Sequence, residues 1–162
     1  MLKMFDIIEA DLADAHQAEA FLQLMNSYAL DPMGGGTPLT DYAWENLVAA
    51  MRARNDALSL LAFIDDEPIG LINAFEGFST FQCRPLLNIH DIIVIPRFRQ
   101  QGAARQMLQR LEQIAIERGC CKLTLEVLER NLAARAVYNK FGFSPYELDP
   151  QMGKAMFWEK QL

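Results

Sequence analysis

This chain carries little that could serve redox or metal chemistry. Its 162 residues include three cysteines and two histidines. The cysteines are Cys83, Cys120 and Cys121, an odd number with an adjacent pair. That is no disulfide framework, and the spacing is not that of a zinc site. Cys120 and Cys121 follow Gly119 at the entry to an apolar segment, where a thiol serves as a small buried hydrophobe. No metal is expected. No apolar run approaches the ~20 residues that cross a bilayer, so no membrane partner is expected either. The opening Met1-Leu2-Lys3-Met4-Phe5-Asp6 meets an acid at once and lacks the pattern of a secretory leader, which points to a cytoplasmic protein. Positive charge is also short. Fifteen Lys and Arg against 21 Asp and Glu leave a net charge of −6, which argues against nucleic acid as a partner.

Apolar side chains make up 51% of the chain, enough to build the core of one domain over residues 1–162. Met4 to Glu9 reads as a first strand, and Leu12 to Ala29 as a helix with Phe21, Leu22, Met25 and Tyr28 on one face. Asp31-Pro32 ends that helix, because the residue before proline is pushed out of the helical region. Met33-Gly34-Gly35-Gly36-Thr37-Pro38 reads as a flexible segment. No Lys-Ser/Thr follows its glycines and no strand precedes them, so the phosphate-loop pattern fails there. Thr40 or Asp41 caps a second helix to about Arg54, with Trp44, Leu47, Val48 and Met51 inward. Ala57 to Ile64 and Pro68 to Glu76 form a hairpin across Asp65-Asp66-Glu67. Leu86 to Ile95 is apolar enough for a central strand. A helix from about Gly102 to Arg118 points Met107, Leu108, Leu111, Ile114 and Ala115 inward, and Gly119 stops it. Lys122 to Leu128 reads as a strand, Leu132 to Phe141 as a helix, and Phe143 to Leu148 and Lys154 to Lys160 as closing strands. The order is mixed α/β with hairpins, not an alternating parallel pattern.

The stretch from Ile89 to Phe143 carries the chemistry. A strand leads through Pro96-Arg97-Phe98 into Arg99-Gln100-Gln101-Gly102-Ala103-Ala104-Arg105. Gly102 and Ala104 have little or no side chain, so a ligand can approach the backbone. Amides of residues 100–105 then sit at a helix start, a receptor for a pyrophosphate. Arg99 and Arg105 add positive charge.

Arg99-x-x-Gly102-x-Ala104, Asn131, Tyr138 seven residues later and Gly142-Phe143 four after that together resemble the GCN5-related N-acetyltransferases. The resemblance covers roughly a third of the chain closely. It implies a central mixed sheet of six to seven strands flanked by about four helices, with the fourth and fifth strands splayed. It also implies acetyl-CoA as cosubstrate, with pantetheine lying in the split as an added strand would. By position, Ile92, Ile93 and Val94 would face the pantetheine and acetyl group. Residues Arg99, Gln100, Gln101, Gly102, Ala103, Ala104 and Arg105 would hold the pyrophosphate, and Asn131 would also contact the cofactor.

Amide formation needs a neutral amine, a stabilised oxyanion and a hydrogen bond to the departing thiolate. The resemblance gives the oxyanion to a strand N–H, here that of Val94, and the thiolate to Tyr138, whose phenol with an ordinary pKa of ~10 is protonated at neutral pH. No cysteine nucleophile is needed. The base is open among His90, Asp91, Glu126 and water. Strand alternation predicts that His90 and Asp91 face opposite ways. Tyr28, Met33, Trp44, Phe75, Phe78, Phe81 and Trp158 are candidates to line an acceptor pocket, with Asp31, Asp41 or Glu76 to hold a cationic amine. The implied reaction is acetyl transfer to a primary amine of a small molecule, by direct attack. The alternatives are a protein or peptide acceptor, or a non-catalytic acyl-CoA-binding module. The apolar Met156-Phe157-Trp158 suits either a homodimer contact or a buried strand.

Overall fold

The computed structural model describes residues 4–162, so the Met1–Lys3 part of the N-terminal reading lies outside it. The contacts divide the chain into two units, 1–125 and 126–162.

The first unit is a five-stranded sheet in the order β1 (Asp6–Glu9), β2 (Ala57–Ile64), β3 (Glu67–Ser79), β4 (Arg84–Val94) and β5 (Leu123–Leu125). The first four strands are antiparallel neighbours, and β5 runs parallel to β4. β2 and β3 turn through Asp65-Asp66, both at positive φ, a two-residue hairpin turn whose twist matches that of the strands. The strand therefore resumes one residue earlier than the three-residue turn predicts.

Helices α1 (Ala15–Leu30) and α2 (Asp41–Arg52) lie on one face of this sheet. Asp14 caps α1 by accepting from the Gln17 N–H, and Thr40 caps α2 by accepting from the Ala43 N–H. Phe21, Leu24 and Met51 pack there with Leu61, Phe63, Leu71 and Ile93. Trp44 is an exception to the inward set, standing 44% exposed. Helix α3 (Ala103–Glu117) covers the opposite face and buries all five side chains that its periodicity predicts. Gly70 accommodates it: a Cβ there would stand 2.9 Å from the Met107 Cε and 3.1 Å from the Ile93 carbonyl.

The segment Met33 to Thr37 is a bonded turn rather than a loose connector. Pro32–Gly34 form one helical turn, and the Gly34 and Gly36 N–H groups both donate to the Asp31 carbonyl.

Two features of β4 shape everything beyond it. Asn73 pairs with Asp91 and Ala74 with Ile89, so His90 is an extra residue, a β-bulge. On the other side, β5 pairs only at Leu123, Thr124 and Leu125, the last opposite Ile89. The strand expected to reach Leu128 thus stops where its partner bulges, because a bulge bends the strand and interrupts the ladder.

In the second unit, α4 spans Leu132–Phe141 as the sequence predicts, and Gly142 closes it at φ 110°. The two closing strands do not form ladders. Glu147 and Lys154 make a single bridge. Pro145 interrupts the first segment by withholding an N–H. The described residues therefore hold five strands and four α-helices, not six or seven strands.

Leu111→Ala is expected to cost about 2–5 kcal/mol in urea unfolding, since it empties a fully buried site on α3. Ile116→Ala on the exposed side of the same helix should stay within about 0.5 kcal/mol.

Candidate active site

The end of β4 is a strand edge with its partner removed. The Ile95 N–H donates to the Ile69 carbonyl at 2.9 Å, so these residues form a hydrogen-bonded antiparallel pair. Bonded and non-bonded pairs alternate, so Ile93 also faces β3, while Ile92 and Val94 turn their N–H and C=O groups to the other side. On that side β5 has already ended. The Val94 carbonyl is taken by the Arg99 Nε–H at 2.9 Å. The side chains divide in the same way. Ile93 belongs to the core under α1, whereas Ile92 is half-buried on the α3 face.

After β4 the chain makes one turn, Pro96–Phe98, and enters α3. Gln100 at φ 61° and Gly102 at φ 94° bend the backbone into the helix start. Gly102 is the cap and offers no side-chain acceptor. The Gln106 N–H is the first to bond back, to the Gly102 carbonyl, so the N–H groups of Ala103, Ala104 and Arg105 have no intrahelical partner. Ala103 is buried, Ala104 half-buried and Arg105 exposed. Gln101 donates from its amide to the Arg97 carbonyl. An open strand edge followed within ten residues by an uncapped helix start fits a long ligand with amides at one end and a pyrophosphate at the other.

On the α1 face a polar chain crosses the sheet. Ser59 Oγ donates to Asn73 Oδ1 at 2.6 Å, and Asn73 Nδ2 donates to Asp91 Oδ2 at 2.9 Å. The same amide lies 3.2 Å from the Met25 sulfur of α1. His90 meets Phe75 edge to face at 5.6 Å, and Phe75 packs against the same core. His90 and Asp91 therefore share the α1 face. Their expected opposition fails because the bulge inserts one residue and resets the alternation. Tyr28, one turn after Met25, is half-buried here. Burial pushes its phenol above the ordinary value, and the charges of Asp91 and Asp31 add to the effect.

Asp31 is bound to Arg99 Nη2 at 2.6 Å and also accepts from the Met33 N–H. Asp41 is exposed in the first turn of α2, and Glu76 pairs with Arg118 at 3.8 Å. Of the aromatic candidates, Phe78, Phe81 and Trp158 are exposed, and Phe75 packs on the core. Burial raises the Cys120 thiol, with the Glu76 charge adding, so it stays protonated. Sequence reading missed Ser59 and Asn73. A lone asparagine inside the apolar run Leu71-Ile72-Asn73-Ala74 was the available signal.

In the second unit, Asn131 caps α4 by accepting from the Ala134 N–H at 3.2 Å. Tyr138 is buried on that helix, edge-on to Phe143 at 5.9 Å.

The Arg99 guanidinium and the Met33 N–H hold the Asp31 carboxyl below the usual carboxylate range. Its contribution to stability is present above the unfolded value near ~4 and is lost as pH falls through the lower folded value. The pair is partly exposed, so Asp31→Asn should cost about 1 kcal/mol or less at neutral pH in urea unfolding. That difference should shrink as the pH is lowered below the unfolded value and vanish once Asp31 is protonated in the folded protein as well.

The sequence matches the Acetyltransferase (GNAT) family over residues 20–143. It is 33% identical over 79 residues to thialysine N-epsilon-acetyltransferase of Caenorhabditis elegans, a match covering 49% of this chain and 49% of that protein. It is 25% identical over 92 residues to aminoglycoside N(6')-acetyltransferase type 1 of Salmonella typhimurium, covering 55% of this chain and 63% of that protein. The fold superposes on AAC(6')-Iy in complex with the bisubstrate analogue CoA-S-monomethyl-acetylneamine with a TM-score of 0.75, at 20% identity, over 99% of this chain and 100% of that one. The matches to the two curated relatives thus span about half to two thirds of those proteins' lengths. The mixed sheet, the early end of β5 and the uncapped start of α3 agree with the sequence match, and the chain belongs to the GNAT acetyltransferase family.

Proposed function

We propose that this protein transfers the acetyl group of acetyl-CoA to a primary amine of a small molecule, with residues 1–162 acting as one functional domain. The carrying observation is the free edge of β4 at Ile92 and Val94, past the last β5 pair and just ahead of the uncapped α3. Acetyl-CoA supplies an activated thioester. The Ile92 backbone pairs with pantetheine, while Ile93 backs the strand from the core. The N–H groups from Gln100 to Arg105 receive the pyrophosphate, with Arg99 at the mouth of that loop. The Val94 N–H, pointing into the open edge, meets charge developing on the acyl oxygen.

On the acceptor side, His90 accepts the amine proton, directly or through water. Asp91, held by Asn73, provides the negative charge that attracts a cationic amine. Relatives named for thialysine and aminoglycosides, both amines, support that substrate class. Asn131 and Tyr138 enter on the sequence pattern, Asn131 as a cofactor contact and Tyr138 as donor to the leaving sulfur. The exposed Met156, Phe157 and Trp158 support a homodimer contact.

The test is thiol release from acetyl-CoA with a panel of polyamines, amino acids, aminoglycosides and short peptides. One small-amine class should turn over, and Tyr138→Phe should lower kcat about 10²-fold or more with CoA affinity little changed. Tight CoA binding with no turnover on any amine would instead identify an acyl-CoA-binding module, and turnover on peptides alone a protein acetyltransferase.

A further inference from the structure

Arg99 occupies an unexpected position for a residue of the pyrophosphate loop. Its guanidinium points back along the chain and across to α1. Nε donates to the Val94 carbonyl at 2.9 Å, and Nη2 donates to Asp31 Oδ2 at 2.6 Å. Asp31 is itself a hub. Its N–H donates to the Tyr28 carbonyl, its carboxylate also accepts from the Met33 N–H, and its carbonyl accepts from Gly34 and Gly36. The turn is packed tightly against α1, because a Cβ on Gly34 would stand 1.9 Å from the Tyr28 carbonyl oxygen. The arm thus joins two parts far apart in sequence, the turn after α1 and the last residue of β4.

We propose that Arg99 and Asp31 are positioning residues: together they hold the Val94 peptide in register, and they tie the acceptor-side end of α1 to the acyl-binding end of β4. This rests on the reading of β4 and α3 as the acyl-CoA site. The physical case has three parts. Val94 is the last residue of the strand, and its carbonyl points into the open edge, where no strand holds it. Arg99 meets its two acceptors with two separate nitrogens held in one plane, a geometry that the single Nζ of a lysine does not reproduce. With the Arg99 side chain 46% exposed and Asp31 17%, the ion pair is screened on one side and adds only modestly to stability, which leaves geometry as its principal effect.

Two measurements test this on the full chain. The first is amide hydrogen exchange of the segment Ile92–Arg99 in the ligand-free protein. Exchange should quicken at least about threefold in Arg99→Met and in Asp31→Asn, and the double variant should be no faster than the quicker single one. The second is steady-state kinetics with calorimetry of CoA. Each variant should lose about tenfold in kcat, with CoA affinity within about twofold of wild type. Arg99→Lys should not restore turnover.

Unchanged exchange in both single variants would overturn the proposal. So would an Arg99→Met protein that binds CoA tenfold more weakly while Asp31→Asn behaves as wild type, since Arg99 would then be a phosphate ligand. Should the wild type turn over no amine, the proposed reaction falls, while the exchange result still decides whether the arm holds the strand.

Discussion

Past Ile89 the backbone of β4 loses its partner on one side, and the rest of the candidate site follows from that. A central strand normally spends its N–H and C=O groups on two neighbours. Here β3 keeps pairing through Val94, but β5 stops at Leu125. The groups of Ile92 and Val94 that face the gap must find other partners. Arg99 supplies one of them, at the Val94 carbonyl. The remaining groups make the edge a natural dock for an extended molecule with amides of its own.

The His90 bulge links that edge to the opposite face of the sheet. One inserted residue ends the pairing with β5 and puts two successive polar side chains on the α1 side. Asp91 is then secured by Asn73, and Asn73 by Ser59, so a carboxylate is oriented by a chain that begins two strands away. Buried polar groups persist where their hydrogen bonds are satisfied, and Ser59 and Asn73 satisfy each other. The same backbone irregularity therefore shapes both the open edge of β4 and the carboxylate on the α1 face.

Much of this was legible in the amino-acid order. The α3 periodicity gave five of its six buried residues, Ala103 being the sixth, and Gly102 and Gly142 stand at the helix boundaries where their φ values require glycine. Thr40 announced the start of α2 through a short polar side chain ahead of an apolar run, whereas α1 starts at Ala15 behind the Asp14 cap, three residues after the Leu12 that the apolar pattern suggested. The residues after Gly142 were misread, because Phe143 to Leu148 is apolar and aromatic in the manner of a strand. Pro145 and the Asp149–Met152 turn leave it one bridge. Arg99 was legible as a cation in a phosphate-type loop, but its partners lie five residues back and 68 residues away.

The sequence by itself determined the local events: where helices start and stop, which faces are apolar, and the family pattern running from Arg99 to Phe143. These depend on neighbours within a few residues, so spacing and side-chain type suffice to reveal them. Only the tertiary structure decided the register of β4 against β3, the point at which β5 departs, and the side on which His90 and Asp91 emerge. A one-residue slip reverses every side chain of a strand. That choice is made by the summed packing of α1 and α3 on the two faces of the sheet, which no local window contains.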